Sequence, residues 1–212
     1  INPDEAVSIG AAKYAEYRSK DLVNISDVTP LNLGTTILEN IFDIIVPMNS
    51  KIPLEYTSPY TTIDDFQEYI QFDVRQGNRE LSSENSLLGQ FILDGISPMP
   101  AGEAKLEGTI KIDSNGILTA EATDLKKKKT RKIIIKNYQR LSRKEILKLK
   151  AQADKYKTED DKKVERIMKN YEAIRLINKS KQYLTPFITN KEIKEDLINA
   201  LNNFEEEILS KE

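Results

Sequence analysis

The stretch "DVTPLNLG", Asp27 to Gly34, separates two kinds of sequence. Before it, the opening "NPDE" (2–5) is typical of a helix start, with a capping Asn, a Pro at the first helical position and acids in the first turn. After it, short alternating patterns predict strands. Thr29-Pro30 favours an extended chain here, because a proline disfavours the helical conformation of the residue before it. The architecture is therefore expected to change at this stretch.

From Val28 to about Ile135 the pattern predicts an antiparallel β-sandwich. The run "YIQFDV" alternates apolar Ile70 and Phe72 with polar neighbours. Asn115-Gly116 lies between two further alternating runs and is a strong hairpin signal, since both residues tolerate positive φ. About seven or eight strands fit this span. A parallel sheet would need helical crossovers, which the pattern does not contain.

The last third of the chain is predicted to be helical. The capping boxes "SRKE" (142–145) and "TNKE" (189–192) each mark a helix start. A further helix is predicted to start at Thr158, where three acids follow in the first turn, and Pro186 should end it. The apolar stripes are one-sided, so these helices must pack on each other or on the sandwich. The fold class is therefore β + α, an antiparallel β-sandwich of about eight strands followed by a helical subdomain.

The composition excludes several classes of function. The 212 residues contain no Cys and no His, which removes disulfides, thiolate nucleophiles, Cys/His zinc sites and His-based catalysis. The net charge of −2 is not that of a nucleic-acid-binding protein. No apolar run reaches the length of a membrane span. Ile rather than Met stands at position 1, so we expect the chain to be part of a longer protein.

Two charged features have both a functional and a structural interpretation. The acidic pairs Asp64-Asp65 and Asp160-Asp161 are interpreted as turn and cap residues, because adjacent carboxylates do not face each other across a substrate. The basic run "KKKKTRK" (126–132) predicts either a solvated hairpin tip or a contact to phosphates through Lys126 to Lys129. It lacks interleaved aromatic residues that would stack on bases, which favours the hairpin tip.

The chain resembles the heat-shock-70 chaperone family. The opening "INPDEAVSIGAA" is similar to the last helix of that family's nucleotide-binding domain, and "DVTPLNLG" to the start of its substrate-binding sandwich, which commonly reads DVTPLSLG. The motifs "NSKIP" (49–53), "QGNRE" (76–80), "NSLLGQF" (85–91) and "IDSNGIL" (112–118) continue the resemblance. It implies a helix remnant at 1–20, an interdomain linker at 21–27, a peptide-binding sandwich at 28–137 and a partial helical lid at 141–212.

Within the family, several positions look more like HscA, the branch dedicated to iron–sulfur cluster assembly, than like general-purpose DnaK. These positions are Pro47, "GNREL" (77–81), Ala101, where DnaK has Arg, and "NYEAIRLIN" (170–178). The HscA branch would imply an iron–sulfur scaffold protein as client. The alternative is a general DnaK-type chaperone that binds many unfolded chains.

The resemblance also implies a binding site for an extended apolar peptide. Its pocket would hold one apolar side chain, two residues would arch over the peptide, and a polar edge would contact the peptide backbone. The implied pocket residues are Leu33, Thr35, Tyr60, Ile70, Phe72 and Leu106. The two residues that would arch over the peptide are Leu38 and Ile63. The edge that would contact the peptide backbone consists of Ile37, Thr61, Gln67 and Tyr69.

Two single positions and the linker depart from the family pattern. Thr35 stands where Ile or Leu is usual, and Gly108 replaces a larger residue. The linker, which in the family is rich in Leu, contains two polar replacements that put the strength of ATP coupling in doubt. The linker residues are Val23, Asn24, Ile25, Ser26 and Asp27.

The resemblance assigns no enzymatic activity, cofactor or metal to this part of the protein. It places ATP and Mg in the nucleotide-binding domain, so an ATPase is expected of the full-length protein. The expected partners are a client polypeptide and a J-domain co-chaperone, with no nucleic acid and no membrane. The expected location is the bacterial cytoplasm, with the mitochondrial matrix as the alternative.

Overall fold

The computed structural model describes residues 3–19, 27–135 and 141–210. Linker positions 23–26 lie outside these ranges. The elements are helix α1 (Pro3–Ser19), strands β1 (Asn32–Ile37), β2 (Ile41–Val46), β3 (Leu54–Tyr60), β4 (Tyr69–Gly77), β5 (Ser86–Asp94), β6 (Leu106–Ile112), β7 (Leu118–Asp124) and β8 (Lys129–Ile135), and helices α2 (Arg143–Tyr183) and α3 (Lys191–Leu209). Two short 3₁₀ turns lie at Ser82–Glu84 and Thr185–Phe187.

The predicted β-sandwich is confirmed. Its eight strands form two antiparallel sheets of four, with strand orders β2-β1-β4-β5 and β3-β6-β7-β8. β6 and β7 alternate strictly between buried and half-buried residues, as a sheet with one face on the core should. The core between the sheets is built from buried apolar side chains of both, among them Leu33, Val74, Leu93, Ile110 and Leu118. The helical segments follow the sandwich along the chain, as expected.

The opening stretch is fixed to the sandwich by Thr29. This residue is 1% exposed. Its hydroxyl donates to the carbonyl of Pro47 at 2.9 Å and accepts from the amide of Ser50 at 3.1 Å. The chain then enters β1, where the register with β2 shifts between Leu33 and Gly34. A Cβ at Gly34 would lie 1.9 Å from the backbone oxygen of Asp43, so only glycine fits this close approach of two strands.

The hairpin predicted at Asn115-Gly116 joins β6 to β7. Only Gly116 of the pair has positive φ, at 77°. The side chain of Asp113 holds the turn, because its Oδ1 accepts from the amides of Asn115 at 2.9 Å and Ile117 at 2.8 Å. The hairpin prediction is confirmed. The expected turn had both residues at positive φ, whereas the observed turn has one and is stabilised by the side chain of Asp113.

The alternation in β4 is less regular than the sequence predicts. Asp73 was expected on the exposed face, yet it is 8% exposed. Its carboxylate accepts hydrogen bonds from Gln71 at 2.9 Å, and from Thr36 and Arg75 at 3.3 Å each. The segment containing Ser82 covers these groups, since Arg75 also donates to the Ser82 carbonyl at 3.1 Å. A buried polar network therefore occupies the outer face of this sheet.

The helix start predicted at Thr158 is wrong, because α2 runs without a break through this position. The capping box of Ser142 and Glu145 is present at its start. Acids at 159–161 resemble a first turn, but Asp160 is instead 1% exposed in the middle of the helix. Its charge is balanced by Arg79 of the sandwich.

The helix preceding Pro186 ends as predicted, with Leu184 as the C-cap of α2. The cap of α3 is displaced by one residue from the prediction. Asn190, rather than Thr189, is the N-cap, and its side chain accepts from the amides of Glu192 at 3.0 Å and Ile193 at 3.4 Å. Both residue types are good caps, so the sequence did not discriminate between the two neighbours. None of the helices in the described ranges combines the length and apolar character of a membrane span.

Candidate functional site

One end of the sandwich carries most of the predicted site residues. In one sheet, β1 and β4 are antiparallel, so the end of β1 and the start of β4 lie at the same end. In the other sheet, the end of β3 pairs with the start of β6. The hydrogen bond from Tyr60 of β3 to Asp43 of β2 brings these two sheet ends together. Two loops leave from this end of the sandwich. We call residues 38–40 the first loop and residues 61–68 the second loop. These are the segments that the resemblance assigned to the peptide groove.

The second loop is organised by Gln67. Its Oε1 accepts from the amides of Ile63 at 3.1 Å and Asp64 at 3.4 Å, and its Nε2 donates to the carbonyl of Tyr69 at 2.8 Å. Gln67, Ile63 and Tyr69 were predicted as separate groove positions, and the structure joins them in one network. The predicted backbone-contacting amide is therefore also the group that shapes the loop.

A further segment, residues 96–103, supports the second loop from outside. The amide of Ala101 donates to Asp65 Oδ1 at 2.8 Å, and the amide of Phe66 donates to the Met99 carbonyl at 2.8 Å. The amide of Gly102 donates to the carbonyl of Thr62 at 2.9 Å. The interpretation of Asp65 as a turn residue fits its contact, which fixes one loop against another.

Two residues of the first loop have backbone conformations that side chains rarely adopt. Leu38 has φ 42° and Glu39 has φ 67°. Phe66 in the second loop has φ 59°. Such strain persists only where surrounding contacts hold the backbone, and it is often found at binding sites. Leu38 is half-buried, Ile63 is 41% exposed and Thr61 is exposed.

The residues predicted for the pocket lie in the core of the sandwich or against it. Leu33, Thr35, Phe72 and Leu106 are each 3% exposed or less, and therefore belong to the core. Ile70 and Tyr60 are partly buried against them. Ile37 and Gln67 are half-buried at the rim, and Tyr69 is 59% exposed.

The replacement at Gly108 is explained by the aromatic rings of the pocket. A Cβ at Gly108 would lie 2.5 Å from Phe72 Cε2 and 2.7 Å from Tyr60 Cε2. The two rings meet edge to face with centroids 6.1 Å apart. Gly108 therefore provides the space that the rings of Phe72 and Tyr60 occupy, and the three residues form one packing unit.

A residue that the sequence did not single out, Asp43 of β2, contacts Tyr60, one of the residues predicted for the pocket. The hydroxyl of Tyr60 donates to Asp43 Oδ2 at 2.6 Å. Burial, together with the neighbouring carboxylate, raises the pKa of the Tyr60 hydroxyl, so this group remains a hydrogen-bond donor. β2 and β3 are edge strands of different sheets, and this hydrogen bond joins them at the end of the sandwich that carries the loops.

Helix α2 is attached to the sandwich by a buried ion pair. Arg79 Nε and Nη2 donate to the two carboxylate oxygens of Asp160 at 2.5 and 2.8 Å. The arginine also lies 4.5 Å from the ring centroid of Tyr156 and 3.2 Å from Glu84. The hydrogen bonds from Arg79 to Asp160 raise the pKa of the guanidinium. Neither Arg79 nor Asp160 was predicted as an attachment point, since they are 81 positions apart.

A cleft of about 880 Å³ lies between the loops and the helices. Leu38 and Ile63 line it from the sandwich, and Tyr171, Ile174 and Leu209 line it from α2 and α3. The sandwich lines the cleft with acids and α2 lines it with bases, while α3 adds one acid, Glu205, which pairs with Lys181 at 2.5 Å. The acids of the sandwich are Glu39, Asp64, Asp65 and Glu103, and the bases of α2 are Arg175, Lys179 and Lys181.

The basic run lies at the tip of the β7–β8 hairpin and at the start of β8. This position agrees with the hairpin-tip interpretation of the run. Lys127 Nζ donates to the carbonyl of Gly95 at 2.7 Å, and Lys129 Nζ donates to the Asp94 carboxylate at 3.0 Å. Hydrogen bonds from Lys129 and Arg131 lower the pKa of Asp94 to about 2. Part of the basic run therefore forms contacts within the protein. Nucleic-acid binding by this run stays a prediction.

The comparison with protein families identifies the chain. The family model described as "Hsp70 protein" matches residues 1–212. The chain belongs to the Hsp70 family. Among its Hsp70 relatives is the chaperone protein DnaK of Mycoplasmopsis pulmonis, 40% identical over 169 residues, which are 79% of this chain and 28% of that protein.

Two further Hsp70 relatives give the same result. DnaK of Thermosipho melanesiensis is 38% identical over 174 residues, 79% of this chain and 29% of that protein. DnaK of Mycoplasmopsis agalactiae is 39% identical over 180 residues, 84% of this chain and 30% of that protein. The chain thus spans less than a third of the length of these relatives. The resemblance to the Hsp70 family is confirmed, and the HscA branch is not.

Proposed function

We propose that this chain binds extended, apolar segments of client polypeptides between the first and second loops. The proposal rests on one observation: Leu38 and Ile63, which lie on two separate loops of the sandwich, line the same cleft. One apolar side chain of the client would enter the predicted pocket between these loops, and the rim would bind its backbone. Burial of one such side chain contributes roughly 1.5–3 kcal/mol. With a few backbone hydrogen bonds, the expected affinity is about micromolar.

The helices would act as a lid in this proposal. The Arg79–Asp160 pair holds α2 on the sandwich, and α2 continues past the loops to Tyr183. Because Leu38 and Ile63 line the cleft beneath α2, a bound segment would lie under the helices. Movement of the lid would therefore govern release of the client.

We expect the whole protein to have the ATP-dependent activity of the Hsp70 family. We propose that an upstream nucleotide-binding domain binds ATP and Mg and hydrolyses ATP, and that a J-domain co-chaperone acts on it. Asp27, the last linker residue, is the first residue of the described sandwich, and its carbonyl accepts from the amide of Ile52 at 2.8 Å. The linker would transmit the nucleotide state to the sandwich at this point.

Peptide anisotropy tests the site directly. We expect a labelled apolar heptamer to bind at about micromolar concentration, and Ile63→Asp to weaken it at least about tenfold by placing a charge against the client. Ile134→Asp is the matched control, because Ile134 is 52% exposed on β8 and pairs with Thr119, at the end of the sandwich opposite the loops. Equal binding by wild type and Ile63→Asp would contradict the proposed site.

The client range separates the two branches. The DnaK names of the relatives favour a general chaperone, which would bind many unrelated apolar heptamers with similar affinity. Pro47 and Ala101 favour the iron–sulfur branch, which would prefer a proline-containing scaffold peptide over its scrambled version. Equal affinity for the scaffold peptide and its scramble would exclude the specialised branch and leave the general one.

A further inference from the structure

The turn between β7 and β8 projects from the same edge of its sheet as the second loop. We call this turn, residues 125–128, the basic tip. Tyr60 pairs with Leu106, and Leu106 pairs with Asp124. β3 and β7 therefore run in the same direction, and the second loop and the basic tip follow their last residues. Because neighbouring strands lie about 4.8 Å apart, Tyr60 and Asp124 are separated by about 10 Å.

A chain of contacts also joins the basic tip to the end of the second loop. Lys127 Nζ donates to the carbonyl of Gly95 at 2.7 Å. The amide of the next residue, Ile96, donates at 2.9 Å to the carbonyl of Glu68, the last residue of the second loop. The basic tip therefore lies beside the second loop at both of the loop's ends.

The fold does not neutralise the positive charge of the basic tip. Lys126 and Lys128 are exposed. Lys105 is also exposed and lies beside them, because its carbonyl accepts from the amide of Leu125 at 3.0 Å. Within the part of the chain that the structure describes, none of these three lysines forms an ion pair with a carboxylate. Their ammonium groups are therefore available to an anionic ligand.

The turn itself does not need lysines. Asp124 shapes it, because its Oδ1 accepts from the amides of Lys126 at 2.8 Å and Lys127 at 3.0 Å. Lys128 has φ 54°, a conformation that Gly or Asn adopts more readily. Neighbouring like charges also repel each other. The lysines of the basic tip are therefore better explained by a ligand than by the fold.

The surroundings of the basic tip favour a short acidic segment of polypeptide as this ligand. Residues 124–132 contain no aromatic side chain that would stack on a base. An extended client rises about 3.3 Å per residue, so it would cover the distance from the second loop to the basic tip within about three to five residues. The acids that line the cleft lie on the two loops and on segment 96–103, on the side of α2. An acidic flank at the basic tip would therefore lie outside that acidic wall.

We propose that the basic tip binds an acidic flank of the client, next to the apolar segment that is held between the loops. Lys126 and Lys128 pair with Asp or Glu side chains of the client where it passes beyond the second loop. This inference rests on the proposed peptide binding and leaves the apolar pocket as proposed. It adds a selection among apolar segments, in favour of those with acids on one flank.

The experiment compares labelled ten-residue peptides that share one apolar heptamer and differ in a three-residue flank. The flank is Glu-Glu-Glu or Gln-Gln-Gln, and it is placed either before or after the heptamer, about four to six residues from its centre. At about 0.01 M salt we expect the 212-residue chain to bind the Glu peptide about fivefold more tightly than the matching Gln peptide, for one of the two placements. At about 1 M salt the two should bind equally, because exposed charges are screened.

The double variant Lys126→Gln/Lys128→Gln then assigns the preference to the basic tip. We expect this variant to lose the preference for the Glu peptide over the Gln peptide. Binding of the Gln peptide shows that the variant is folded. Lys144→Gln/Lys148→Gln is the matched control, because it removes two charges from exposed positions of α2. The control should keep the preference.

The outcomes separate the inference from the proposed function. If the Gln peptides bind but the Glu peptides bind no more tightly in either placement, the role of the basic tip is overturned and peptide binding stands. If the tip variant keeps the Glu preference, other cations cause it and the inference is wrong. Loss of oligothymidine binding in the tip variant, without any Glu preference in wild type, would assign the tip to nucleic acid and overturn the inference. If no peptide binds at either salt concentration, the proposed function fails and the inference fails with it.

Discussion

At the scale of single residues, the packing of Phe72 and Tyr60 depends on the side chain that position 108 lacks. The rings of Phe72 and Tyr60 come within 3 Å of where a Cβ of residue 108 would lie. The sequence showed Gly108 as a departure from the family without a reason. The structure supplies the reason, since a larger residue at 108 and two aromatic rings cannot share one space.

We predict that Gly108→Val destabilises the sandwich by about 1–3 kcal/mol, because the new side chain would overlap Phe72 and Tyr60. Urea unfolding followed by circular dichroism measures the change. Adding Phe72→Ile should recover part of the loss, because it removes one of the two rings in contact. Gly10→Ala is the control, since a Cβ there meets nothing within 4 Å. A Gly108→Val protein as stable as wild type would contradict the packing.

Tyr60 predicts a pH dependence of stability. Burial and Asp43 raise the pKa of its hydroxyl above the value of about 10 for an unfolded tyrosine. Above pH 10 the unfolded state loses the proton and the folded state keeps it, so the free energy of unfolding falls as pH rises. Below pH 10 the contribution is fully present.

We expect wild type to lose stability more steeply than Tyr60→Phe above pH 10, by up to about 1.4 kcal/mol per pH unit. Urea titrations between about pH 9 and pH 11.5 measure the difference in slope, and the many Lys residues cancel in the comparison. Parallel curves for the two proteins would show that Tyr60 ionises freely in the folded state.

At the scale of elements, the sequence predicted the strands well and the helix boundaries less well. Strands and their turns follow from period-two patterns and from turn residues such as Asn115-Gly116, which act locally. The predicted helix start at Thr158 was wrong because the acids at 159–161 are typical of the first turn of a helix. Asp160 is instead the partner of Arg79, and a pair separated by 81 positions leaves no local pattern.

We predict that Asp160→Ala loosens α2 from the sandwich by about 1.5–3 kcal/mol, because it removes the two charge-assisted hydrogen bonds of Arg79 and leaves this residue only its contacts with Glu84 and Tyr156. Hydrogen exchange of the amides around Tyr156 measures the detachment. Asp161→Ala is the matched control, since the neighbouring carboxylate is exposed. The double variant Arg79→Ala/Asp160→Ala should be less destabilised than Asp160→Ala alone. Unchanged exchange in Asp160→Ala would contradict the attachment.

At the scale of the whole molecule, the lid and the loops face each other across a cleft of opposite charges. Glu39, Asp64 and Asp65 lie on the loops, and Arg175 and Lys179 lie on α2. Attraction between these walls favours closure of the lid over the groove. Salt should weaken it, because the cleft is open to solvent and its charges are screened.

We predict that Arg175→Glu speeds release of a bound peptide severalfold at about 0.01 M salt and has no effect at about 1 M salt. Stopped-flow displacement of a labelled peptide measures the release rate. Lys148→Glu is the control, because it makes the same charge change on an exposed position of α2 outside the cleft. Equal acceleration by both variants would show that the net charge of the helix, and not the cleft, governs release.

The sequence by itself determined the sandwich, the order of its parts, the capping box at Ser142 and the hairpin at Gly116, because each depends on neighbours in the chain. It also predicted Ile63, Gln67 and Tyr69 as site residues, through the resemblance to the family. Only the tertiary structure decided that Asp43 joins Tyr60 and that Asp160 joins Arg79. Such pairs depend on which distant residues the fold brings within hydrogen-bond distance, and no local pattern encodes them.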